Sequence, residues 1–150
     1  MRVGDALPPL RIPVTRTLIV SGAVASRDFQ DVHHDAEAAR EKGSPDIFMN
    51  ILTTNGLVGR YVTEWAGPRA RLRKVAIRLG VPNYPGDEME LTGEVTGVNS
   101  GMDGGMDGGA GGTGTVEIAV TGRNRLGPHV TGTVTVTLAG VGADGAVSPA

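Results

Sequence analysis

The sequence predicts an α+β fold in which an antiparallel sheet wraps around one long apolar helix. Two observations carry this. Between residues 47 and 65, apolar side chains recur at helical spacing, and after Pro68 four segments alternate polar and apolar residues as strands do. The order is strand, two helices, then four strands. A chain of 150 residues can bury a core and suits a single domain spanning 1–150.

Residues 12–20 read as the first strand, leading into a short segment at 21–26. Residues 35–42, polar and followed by Gly43, read as a short helix with a solvated face. The main helix has a cap signal at Ser44-Pro45-Asp46 and a stop at Gly67-Pro68. Ile47, Ile51, Val58, Tyr61, Val62 and Trp65 form its stripe, and Phe48, Leu52 and Leu57 widen it until it nearly encircles the helix, so burial is expected. Arg60 within it needs a partner or an exit to solvent. Strands follow at 71–81, 88–98, 115–123 and 130–138, the last alternating strictly. Pro85-Gly86-Asp87 marks a turn, with proline at the first corner and glycine at the second. A glycine-rich stretch at 99–114, with Met-Asp-Gly-Gly twice in tandem, reads as a flexible loop where a hairpin turn belongs. The spacing of Asp103 and Asp107 within it fits no calcium loop.

Composition excludes several classes. A net charge of -2 gives no basic face for nucleic acid. The absence of cysteine removes disulfides, thiolate metal sites and cysteine nucleophiles. With no run long enough to span a bilayer and no signal-like N-terminus, a cytoplasmic location is the default expectation.

The chemistry concentrates at residues 26–35, Ser-Arg-Asp-Phe-Gln-Asp-Val-His-His-Asp, which hold three aspartates and two of the three histidines. Histidine titrates nearest neutrality, and a neighbouring carboxylate can fix its tautomer or share its water. Taken alone, the segment reads as an acid–base site, a metal site, or a polar loop that caps the helix at Asp35. Adjacent His33 and His34 diverge, which disfavours metal. His129, beside Gly127-Pro128, reads as a surface-turn histidine. Arg69, Arg71 and Arg73 alternate along a strand start as a solvated face, a subunit contact or a phosphate site.

The same segment resembles the motif of the MaoC-like (hydratase 2) family, Ser-Gly-Asp-x-Asn-Pro-hydrophobic-His-x-Asp, with Asp28 and His33 five apart. The Val81-Pro-Asn-Tyr-Pro-Gly-Asp87 stretch resembles that family's turn between central strands. Further stretches at 46–53, 60–68 and 78–82 resemble the small subunit of heteromeric hydratases in bacterial steroid side-chain degradation. Three residues depart from the motif: Arg27 stands for Gly, Gln30 for Asn and Asp31 for Pro. Met49-Asn50 stands where the family has His-Gly at the start of the central helix.

The resemblance implies a hot-dog fold and hydration of a 2-enoyl-CoA. Asp28 and His33 are then the catalytic pair, and the Asn50 backbone N–H the donor to the thioester oxygen. Gln30 and Ile51 are substrate-binding candidates. No metal or redox cofactor is implied, since coenzyme A is part of the substrate. The implied partner is a second hot-dog subunit, either a different chain or a second copy. For the Asn50 N–H to be free, the helix must begin near Met49 and not at Pro45, and the later start is the one expected. Two rivals stand beside this reading. A hot-dog thioesterase usually carries an acid on the central helix, whereas residues 47–61 hold neither Asp nor Glu. A non-catalytic supporting subunit would have no need of both Asp28 and His33.

Overall fold

The computed structural model describes residues 1–100 and 113–139. The elements are β1 (Ala6–Pro13), α1 (Arg16–Ala25), a short 3-10 turn (Asp31–His33), α2 (Ala36–Glu41), α3 (Ile51–Ala66), β2 (Arg71–Leu79), β3 (Glu88–Ser100), β4 (Thr113–Asn124) and β5 (Gly127–Ala139). The five strands form one antiparallel sheet in the order β1-β3-β4-β5-β2. Residues 101–112 of the glycine-rich stretch, with Asp103 and Asp107, lie outside the described residues.

The core lies between the sheet and α3. Met89, Leu91 and Val95 of β3, Val116, Ile118 and Val120 of β4, and Val130, Val134, Val136 and Leu138 of β5 turn inward, as the alternation predicts. From α3, Val58, Tyr61 and Val62 meet them. The helix is less enclosed than its composition implies, because Ile51 and Leu52 in its first turn are about half exposed. Arg60 leaves toward solvent and pairs with Glu64 one turn on.

Two expectations change. Residues 16–25 form a helix, not the end of a strand. The Thr15 hydroxyl accepts from the Leu18 N–H as an N-cap, and Ile19 and Ala23, four apart, bury one face. The strand lies earlier, at β1, where Pro8-Pro9 argues against one. Its pairing with β3 is irregular between Leu7 and Leu10, and an edge strand tolerates prolines at such a break. The other edge, β2, is free of proline.

The cap signal at Ser44-Pro45-Asp46 does not start a helix. The Asp46 carboxylate instead accepts from the Ile47 N–H and pairs with Arg16. The main helix begins at Ile51 with Asn50 as N-cap, the later start that the family resemblance requires. Close packing sets α1 against α3, since a Cβ on Gly22 would lie 2.2 Å from Thr53 Oγ1.

Candidate active site

Five segments converge on one cleft: the loop after α1, the 3-10 turn, the start of α3, residues 79–82 at the end of β2, and the start of β5. The loop leaves α1 through a Schellman motif. Asp28 N–H donates to the Ala23 carbonyl and Arg27 N–H to the Val24 carbonyl, with Arg27 in the left-handed region at φ 56°. This conformation explains the glycine in the motif that the segment resembles, which Arg27 replaces at some conformational cost. The turn aims the Asp28 side chain back toward α3.

His33 is buried. Its Nδ1 lies 2.8 Å from the Phe48 carbonyl oxygen, which can only accept, so Nδ1 carries the proton. In the neutral ring Nε2 is then an acceptor, and it faces Asp28 Oδ2 at 3.4 Å. In that neutral form two acceptors confront each other, an arrangement that a single donor molecule bridging them would satisfy. The Phe48 ring packs edge-on against His33, with centroids 5.0 Å apart.

Asn50 is buried at the head of α3. Its Oδ1 accepts from the Thr53 N–H at 2.9 Å, and its Nδ2 donates to Ser26 Oγ at 2.9 Å and to Asp28 Oδ2 at 3.0 Å. Its own backbone N–H has no acceptor among the described residues, and it sits at the positive end of a sixteen-residue helix. The Asn50 amide is the main cause that holds the Asp28 carboxyl below the usual carboxylate range. Burial opposes it, while the His33 ring when protonated and the Gln30 N–H add to it.

These groups line a cavity of about 320 Å³, to which Gln30 and Ile51 contribute as well. Every site residue named from the sequence therefore meets at one place. Their neighbours shape the loop: Asp31 pairs with Lys42, His34 Nε2 reaches the Phe29 carbonyl at 3.2 Å, and Asp35 caps α2. Among the described residues, no three His, Cys, Asp or Glu side chains converge as metal ligands would.

A family model described as a MaoC like domain matches residues 3–114. The chain belongs to the MaoC-like family. It is 49% identical over 136 residues to the 3-oxo-4,17-pregnadiene-20-carboxyl-CoA hydratase beta subunit of Mycobacterium tuberculosis, covering 91% of this chain and 95% of the relative. It also matches a chain in the crystal structure of the ChsH1-ChsH2 complex from the same organism, with a TM-score of 0.81 and 49% identity over 91% of this chain and 98% of that one. An (R)-hydratase from A. caviae involved in PHA biosynthesis shares the fold alone, with a TM-score of 0.76 at 18% identity over 92% and 97% of the two chains. The hot-dog fold expected from the family resemblance is the fold of this chain.

The MaoC-like site contains groups that the sequence did not disclose. His129 is not a surface residue but is fully buried against the cavity. Its Nδ1–H donates to the Val81 carbonyl at 2.7 Å, and Thr54 Oγ1 lies 2.9 Å from its Nε2. Burial pushes its pKa down, which keeps the ring neutral and makes Thr54 the donor. Asp87, from the Pro-Gly-Asp turn, is structural: its buried carboxylate accepts from the Tyr84 N–H at 2.9 Å and from Arg125 Nε at 2.5 Å. Gly86, at φ 90°, supplies the positive angle of that turn.

Among the described residues, no helix is long and apolar enough to cross a membrane.

Proposed function

We propose that this chain is a catalytic subunit of an (R)-type enoyl-CoA hydratase, adding water across the 2-enoyl double bond of a steroid side-chain or similarly bulky acyl-CoA. The observation that carries the reading is the close approach of Asp28 Oδ2 and His33 Nε2, beside an Asn50 N–H that has no acceptor among the described residues. A water between the two acceptors donates one hydrogen bond to each. As its oxygen attacks C3, His33 Nε2 takes a proton and the imidazolium is stabilised by the Asp28 carboxylate. Negative charge moves to the thioester oxygen, where the Asn50 N–H receives it; one such donor is typically worth about 3 kcal/mol. The C2 proton then returns from the same pair, on the same face as the added hydroxyl, and no net charge is left. Coenzyme A enters only as part of the substrate.

The substrate class rests on the 49% identity to a hydratase beta subunit whose name specifies a pregnadiene carboxyl-CoA. A cavity of about 320 Å³ lies at the low end of those that enclose drug-sized ligands. It suits the reacting end of such a thioester and leaves the bulk to a second hot-dog subunit, in keeping with the two-component complex that this chain resembles. The thioesterase alternative finds no support on the central helix. Glu64, its one acid, is exposed and paired with Arg60.

The test is to co-express the chain with its candidate partner and supply saturated and 2-unsaturated steroid acyl-CoAs. Loss of enoyl absorbance with the thioester intact supports the proposal. Release of free coenzyme A thiol from both substrates overturns it.

A further inference from the structure

The Asn50 side chain stands where the MaoC-like pattern has glycine, so the proposed chemistry does not require it. It is nevertheless buried, and each of its polar contacts has a fixed direction. The Thr53 N–H can only donate, so Oδ1 must face it and Nδ2 must face the carboxylate. The second Nδ2 hydrogen goes to Ser26 Oγ, whose own proton goes to the Gly22 carbonyl at 2.7 Å. A flipped amide would set oxygen against carboxylate and N–H against N–H. One side chain therefore ties the end of α1, the Asp28 loop and the first turn of α3 together in a single arrangement.

We propose that Asn50 is a positioning residue. Its amide clamps Asp28 Oδ2 onto the helix end that presents the Asn50 N–H, so that the acid–base pair and the oxyanion donor hold one fixed separation. The inference deepens the hydratase reading and rests on it for its catalytic meaning, whereas the clamp itself belongs to the chain alone. The groups facing the Asp28 carboxylate are few. Among the described residues His33 is the titratable one, from the 3-10 turn; the Gln30 N–H and the Asn50 amide are neutral.

Asn50→Ser and Asn50→Gly separate clamping from capping. Serine still caps the helix but does not donate across to Asp28, and glycine keeps only the backbone N–H. In the complex with its partner subunit, both variants are expected to lose kcat roughly tenfold or more with a smaller change in KM. The serine variant should hold its melting temperature close to that of the parent. In the isolated chain, carbon-13 NMR titration of the Asp28 carboxyl should move to a higher midpoint in both variants.

An unmoved Asp28 titration overturns the clamp whatever the reaction proves to be. An unchanged kcat in an active complex overturns its catalytic meaning and leaves the hydratase reading in place. If the parent complex hydrates nothing, the hydratase reading falls, and the titration still decides the clamp.

Discussion

His33 Nδ1 donates to the carbonyl of Phe48, fifteen residues along the chain, and this bond decides which ring nitrogen meets Asp28. With Nδ1 committed, Nε2 is the basic atom, and it lies 3.4 Å from the carboxylate. A backbone acceptor thus fixes the tautomer, leaving the carboxylate free for the water of the proposed hydration.

His33→Ala and Asp28→Asn should each lower kcat for enoyl-CoA hydration by about 100- to 10,000-fold, the usual range for a positioned acid or base. Circular dichroism should be unchanged. Unaltered turnover in both variants, measured in the assembled complex, would assign catalysis to the partner.

Stability should fall as pH drops from about 7 toward 5, in part because of His129. Burial lowers the pKa of this ring below the usual 6.5 of histidine, so the unfolded chain takes up a proton that the folded one resists. The contribution is complete above the unfolded value and declines as pH falls below it. In His129→Gln, urea midpoints across this range should show a shallower slope.

Arg27→Gly should stabilise the fold by about 0.5–1 kcal/mol. The left-handed conformation at φ 56° disfavours a residue with a Cβ, whereas glycine adopts it readily. Thermal melting would register this as a rise of a few degrees, with turnover retained.

Gly22→Ala should destabilise by about 1–3 kcal/mol, as overpacking does. The new Cβ would meet Thr53 Oγ1 at 2.2 Å and Cγ2 at 2.8 Å, so rotating the threonine exchanges one clash for another and the helices must part. Because α1 delivers Asp28, activity should fall beyond what the loss of folded protein explains. Comparing kcat per folded molecule with melting temperature tests this.

Much of the architecture was legible in the sequence. Period-two alternation placed β3, β4 and β5 correctly, because one face of each is covered and the other is not. The segment at 16–25 misled, because Leu18, Ile19 and Val20 carry strand propensity. The Thr15 cap and the four-residue spacing of Ile19 and Ala23 were the better signals. β1 was misplaced because Pro8-Pro9 reads as a break, and only the register with β3 shows a strand accommodating it.

In the candidate site, spacing and family resemblance single out Asp28 and His33, which the fold brings to one cleft. The roles of Phe48 and His129 were not, because each depends on a contact between segments distant in sequence. An asparagine just before an apolar helix does suggest a cap. Nothing local to it indicates that its amide reaches back twenty-two residues to a carboxylate.

The two rims of the sheet are chemically unequal. β1 carries prolines where a newcomer would need donors, whereas β2 has no proline and is irregular only between Leu72 and Lys74. Strand addition is therefore expected to be easier at the β2 rim than at the β1 rim. A two-fold pairing through β2 uses up the receptive rim of both members and exposes a refractory one at each end, so polymerisation stops at the first step. Prolines at the far rim are expected to discourage strand addition there.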